Sequence, residues 1–357
     1  MSDRKLGRRI SDAGVLIVSL MLSPAGPSWS AQTAAAWQAP RTADGHPDLQ
    51  GVWTNSTITP LERPKEFGER LVITEAEART LEAQNQQFNE EADAPTDPSV
   101  KTQDLPHSCG LGFTGADCGY NMFWLDRGQS VVEVDGERRS SLIVEPGDGR
   151  VPLLPDRQKA LTERFLKMRQ NFDGPEARPL AERCLLAFGS SSGPPMLPVL
   201  YNNNYQIVQT KDTVMILVEM VHDARIIRLG GMRLPANIRK WMGDSIGRWE
   251  GDTLAVETTG FTEQESFRGS TSNLKVIERF TRVAADKINY RVTVEDPGAF
   301  SRPWTAEYPF YATHEPIYEY ACHEGNYALP GILAGAREDE KKGTLSRASR
   351  ELSKGEK

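Results

Sequence analysis

The chain has little of what would place it quickly. Among its 357 residues there are four cysteines, none in a C-x-x-C spacing, so a thiolate zinc site has no support in the sequence. There are five histidines, His46, His107, His222, His314 and His323, with no H-x-H, H-x-x-x-H or H-E-x-x-H spacing. Any metal site would therefore be assembled from distant strands. Walker A and EF-hand patterns are missing as well. Basic residues do not exceed acidic ones, 42 Lys+Arg against 49 Asp+Glu, so there is no electrostatic basis for holding a phosphate backbone or an anionic lipid surface. Nucleic acid is not an expected partner. Beyond the first 30 or so residues no apolar run is long enough to cross a bilayer as a helix, so no membrane span is expected in the mature chain.

What the beginning of the chain does carry is signal-peptide anatomy. Lys5, Arg8 and Arg9 precede an apolar run from Ala13 to Leu22, then Pro24, Gly26 and the small residues around Ser28–Ala31. Arg8-Arg9 raises twin-arginine export, which Ile10-Ser11-Asp12 fit poorly, so Sec export with cleavage near Ser30 is the expectation and the periplasm or the exterior the destination. All four cysteines, Cys109, Cys118, Cys184 and Cys322, then reach an oxidising compartment, where disulfides are the default. Three pairings are possible. Cys109 and Cys118 flank a glycine-rich loop and pair most naturally, which leaves Cys184 with Cys322.

Along the mature chain, residues 31–200 read as an extended arm, two helices and loops. Thr74-Glu75-Ala76-Glu77 is a capping box opening one helix, and Leu161, Phe165 and Met168 mark a second at helical spacing. From residue 201 to 330 the pattern changes to β-branched runs of strand length separated by turn residues, with polar–apolar alternation clearest in Ile288–Glu295. The expected fold class is mainly β, an antiparallel barrel or sandwich, with a lipocalin-like barrel among the options and a mixed helical N-terminal region. Residues 331–357 are charged and poor in large apolar residues, and read as a disordered tail.

Two familiar motifs fail on context. Gly110-Leu111-Gly112-Phe113-Thr114-Gly115 matches G-x-G-x-x-G but follows no strand, and Gly189-Ser190-Ser191-Ser192-Gly193 matches G-x-S-x-G but runs into Pro194-Pro195 instead of a helix. The stronger candidates are polar clusters among the strands. His222, Asp223 and Arg225 sit where two apolar strands meet, and His323, Glu324 and Asn326 lie beside Cys322 and Tyr320. Such a set offers an imidazole to move a proton, a carboxylate to orient it, and Arg or Asn to stabilise developing negative charge. The alternative is that these groups satisfy local backbone or pair at a barrel rim. Tyr120, Trp124, Trp241, Asp244 and Tyr320 complete the set as substrate-binding pocket walls. The Gly243–Asp252 stretch also reads as a tight turn with Trp249 over the core, and Asp126-Arg127 as an ion pair.

Four stretches, Tyr120–Gly128, Glu219–Arg225, Gly243–Asp252 and Tyr318–Tyr327, together resemble an uncharacterised family of secreted bacterial proteins. That resemblance implies export and transfers no activity or catalytic residue. Two functions follow as expectations. One is an exported enzyme without organic cofactor, a hydrolase or lyase/isomerase acting on a small organic or saccharide substrate, with a divalent metal at His222, His323 and Glu324 as a minor option. The other is a lipocalin-like protein that binds an apolar small molecule.

Overall fold

Alternation of polar and apolar residues builds most of this molecule. In a computed structural model, which describes residues 37–92, 99, 101, 125–187, 193–262 and 267–343, nine strands close into a barrel. They are β1 (Gly51–Thr54), β6 (Asn204–Gln209), β7 (Thr213–Val218), β8 (Ala224–Leu229), β9 (Asp244–Glu250), β10 (Thr253–Thr259), β11 (Lys275–Ala284), β12 (Lys287–Glu295) and β13 (Trp304–Ala312). They pair in that order, and Trp53 beside Ala312 closes the ring. The short β5 (Ile143–Glu145) adds to the other half of the same edge of β13. Along β12, Ile288, Tyr290, Val292 and Val294 are fully buried while the intervening residues stay half exposed, which is a strand with one face inward.

The mainly-β fold class is as the sequence indicates, but one junction departs from an all-antiparallel order. β8 and β9 run parallel, with Ile227 opposite Ser245, joined by a crossover over residues 230–243. β9 is the stretch that reads as a turn in the sequence. Gly251 does take a left-handed φ of 60° in the β9–β10 hairpin, whereas Gly247 lies inside the strand, where a Cβ would come 2.8 Å from Ile227 Cγ2. Gly247 is therefore required by the close approach of two strands and not by a turn.

The inside of the barrel is filled. Tyr205, Phe280, Tyr290, Tyr308 and Phe310 form a connected aromatic cluster with ring centroids 5.0–6.4 Å apart. Into it passes the segment around Met196, which is completely buried and so needs partners for its backbone. Tyr308 Oη and Asn55 Nδ2 donate to the Met196 carbonyl at 2.6 and 2.8 Å, and the Met196 N–H donates to Tyr290 Oη at 3.3 Å.

Outside the barrel, β2 (Val72–Ile73), β3 (Glu133–Val134) and β4 (Glu137–Arg139) form a small sheet packed with α1 (Glu75–Ala92) around Ile73, Ala78 and Val131. The capping box forms as read: Glu77 N–H donates to Thr74 Oγ1 at 3.2 Å, and Thr74 N–H to Glu77 Oε2 at 2.8 Å. α2 spans Pro155–Gln170. Within the stretch expected to be disordered, α3 (Ala328–Lys342) is helical, with Ala336 buried and Gly343 as its left-handed C-cap, and residues 344–357 lie outside the described residues.

Candidate functional site

The two polar segments singled out in the sequence meet in space. Tyr318 N–H donates to Glu219 Oε1 at 3.1 Å, His222 Nδ1 lies 3.0 Å from the Tyr320 carbonyl, and Cys322 is bridged to Cys184 with Cα atoms 5.6 Å apart. Residues 317–322, part of the 201–330 stretch read as strands, take no ladder at all. They are held by these contacts and by the disulfide. Cys109, Cys118, Tyr120, Trp124 and the Gly110–Gly115 loop lie outside the described residues, as do Gly189–Ser192.

Meeting in space does not make one catalytic cluster of the six residues. Arg225 points into the barrel, because alternation in β8 turns Ala224 and Ile226 outward and Arg225 and Ile227 inward. Its guanidinium forms a two-pronged pair with Glu278 at 3.1 and 2.7 Å, and the two side chains are 1% and 0% exposed. Tyr290 Oη donates to the same carboxylate at 2.8 Å. Arg225 is thus occupied as a core ion pair and is not free to hold a substrate oxyanion. Asn326 is likewise taken, donating to the Glu182 carbonyl at 3.1 Å and to Cys184 Sγ at 3.4 Å, which pins the disulfide. His323 and Glu324 are solvent-exposed. Among the described residues no three His, Cys, Asp or Glu side chains are grouped to hold a metal ion, so His222, His323 and Glu324 do not converge on one point.

Asp223 is placed differently. It opens a cleft of about 650 Å³ at the end of the barrel where the parallel strands β8 and β9 begin. Trp241 and Met242 of the crossover, Ile226, Leu185 and Leu186 supply apolar wall, and Arg239 and Lys240 supply positive charge. Burial raises the Asp223 carboxyl to about 6, against a smaller lowering by His222. Its Oδ2 is buried and accepts no hydrogen bond. The two residues before it, Val221 and His222, both take left-handed φ values, 62° and 49°. For a β-branched valine this is a strained conformation that persists only where the surroundings over-determine it, and such strain clusters at working sites.

Asp244 lines the same cleft, but its carboxylate is committed. It accepts from Arg228 Nη2 at 2.9 Å and from the Leu234 N–H at 3.0 Å, and so it ties the crossover to the barrel. Arg239 reaches the Phe261 and Ser272 carbonyls at 3.1 and 2.9 Å. By contrast, the Lys240 ammonium has no hydrogen bond or ion pair among the described residues, and it stands next to Trp241. Lys240 was missed in the sequence, where nothing in periodicity or motif separates one surface lysine from another. Tyr320 packs half-buried against the main core and is not among the residues lining the cleft.

Fold and site together define a class: a closed nine-stranded mixed barrel, packed inside, with a polar cleft where the parallel strands β8 and β9 begin. Compared with protein-family models, curated proteins and solved structures, the chain matches none of them.

Proposed function

We propose that this is an exported enzyme in which Asp223 transfers a proton to or from a small anionic organic substrate, in the lyase/isomerase or hydrolase classes, with Lys240 holding the substrate's negative charge and Trp241 its flat or apolar part. The observation that carries this reading is a half-buried carboxyl poised at about 6 and facing a cleft of substrate size. A general base works best with a pKa near the working pH, and a carboxylate usually reaches that range only by burial such as this. Export is supported by the Cys184–Cys322 disulfide. Compared with the sequence-based assignment, the base moves from the histidines to Asp223, since Asp223 lines the cleft and neither His222 nor His323 does.

The test is to incubate the mature protein with a panel of small hydroxy acids, uronic acids and their esters and to follow products by mass spectrometry. Turnover of at least one compound is expected, with kcat/KM falling below pH ~6 and Asp223→Asn slowing it by about 10²–10⁴-fold. No turnover across the panel, or equal turnover by the variant, overturns the assignment.

A further inference from the structure

A second cleft lies away from the barrel mouth and shares no residue with the first. It has a volume of about 570 Å³, within the range of small-molecule sites. Its walls are mainly apolar, including Leu61, Phe67, Leu81, Leu142 and Val199, yet three arginines open onto it: Arg127, Arg139 and Arg268. Only Arg139 has a carboxylate partner, Glu137 at 3.0 Å. Arg127 donates to the neutral Asn89 Oδ1 at 3.0 Å and lies over the Phe88 ring at 5.3 Å, so the ion pair with Asp126 suggested by the sequence is replaced by an amide and an aromatic face. Arg268 stands 6.0 Å from the Phe267 ring centre and has no hydrogen bond or ion pair among the described residues. The one carboxylate of the lining, Glu66, is solvent-exposed.

Burial lowers the pKa of Arg127 and of Arg268, for Arg268 against a partial offset by Glu62. Arg127 is half-buried, and its Nε has no hydrogen-bond partner among the described residues, so the folded protein compensates it less than water would; Arg268 is solvent-exposed and has no counter-charge within ion-pair distance among the described residues. Arg268 also takes a left-handed φ of 46°, and a Cβ on the following Gly269 would come 3.1 Å from Leu161, so its backbone is held against preference between packed neighbours. Its side chain nevertheless stays open to the cleft. An apolar hollow with under-compensated guanidinium groups is complementary to a molecule with one anionic end and an apolar body, because the planar fork of arginine matches a carboxylate in two prongs.

We propose that this cleft is a binding site for a small organic carboxylate with an apolar body, its head on Arg127 and Arg268 and its body along Leu61, Leu81 and Leu142. A fully hydrated phosphate ester would leave these walls unused.

The experiment is calorimetric titration of the mature protein with octanoate, 1-octanol and octylamine. Octanoate is expected to bind with unit stoichiometry and at least tenfold more tightly than octanol, and octylamine not at all. Arg127→Met and Arg268→Met should each weaken octanoate by about tenfold or more, the range expected when a charge-assisted hydrogen bond is lost, and leave octanol nearly unchanged. Near-UV circular dichroism checks that the variants fold. The octanoate-to-octanol ratio of the unaltered protein tests the proposal even if they do not. Equal affinity for octanoate and octanol, no binding of octanoate, or full binding by folded forms of both variants would each overturn it.

Discussion

Replacing Glu278 by glutamine removes one charge from the middle of the barrel and leaves the Arg225 guanidinium there alone. Both side chains are essentially without solvent contact, and the carboxylate accepts three hydrogen bonds, two from Arg225 and one from Tyr290. Breaking a buried pair by removing one partner costs about 3–5 kcal/mol, because the remaining ion has neither water nor a counter-charge. For a chain of this size that corresponds to a fall in Tm of roughly 4–8 °C. The pair itself contributes far less than this, since desolvating two ions offsets most of their attraction. Hence Arg225→Met/Glu278→Leu should be less destabilised than either single variant. Its residual loss is about 1–3 kcal/mol, set by the Tyr290 hydroxyl left without an acceptor. Urea unfolding followed by intrinsic fluorescence measures all three. A loss under about 1 kcal/mol for Glu278→Gln, or a double variant as unstable as the two single losses added, would refute the reasoning.

Two further outcomes follow from the same contacts. The Asp223 carboxyl binds its proton more tightly folded than unfolded, where an aspartate titrates near 3.9, so the folded state holds more protons between about pH 4 and 6. Its contribution to stability therefore falls as pH rises through that window and is flat above it, and Asp223→Asn should raise Tm at pH 8 relative to the unaltered protein while leaving it little changed at pH 4; an identical shift at both pH values counts against the assignment. The Cys184–Cys322 bridge closes a sequence separation of 138 residues, for which the chain-entropy relation gives about 5 kcal/mol as an upper figure. Replacing both cysteines by serine should cost about 2–5 kcal/mol by denaturant titration and loosen residues 318–326 first, read as faster amide exchange there than in β12.

β12 was legible by its uninterrupted alternation with one wet face, whereas β10 and β13, buried over runs of three residues, were legible only as apolar, β-branched or aromatic runs of strand length. β9 hid itself because its inward position 247 must be glycine to let β8 approach, and a glycine among Asp, Arg and Trp reads as a turn. β1 hid for another reason: four residues inside a Pro- and Thr-rich stretch carry too little pattern, and they become a strand only because β6 and β13 offer edges on both sides. At the proposed site, the sequence brought out Asp223 among its candidates, but the direction of Arg225 was decided by strand register, and its partner Glu278 lies on a strand with no motif to draw the eye. Lys240 and the Arg127–Arg268 cleft are products of the crossover and of loops, where spacing carries no information about proximity.

The closure of β1 onto β13 has a consequence for how this protein comes into being. One staves of the ring is made before the long segment that supplies the helices and the small sheet, and its neighbour on one side is the last strand synthesised. No smaller number of strands encloses the aromatic interior, so the early part of the chain has nothing complete to fold around until Ala312 has emerged. Non-local pairing of this kind is slow. A chain that cannot finish its barrel early remains threadable for longer, which fits the export proposed above.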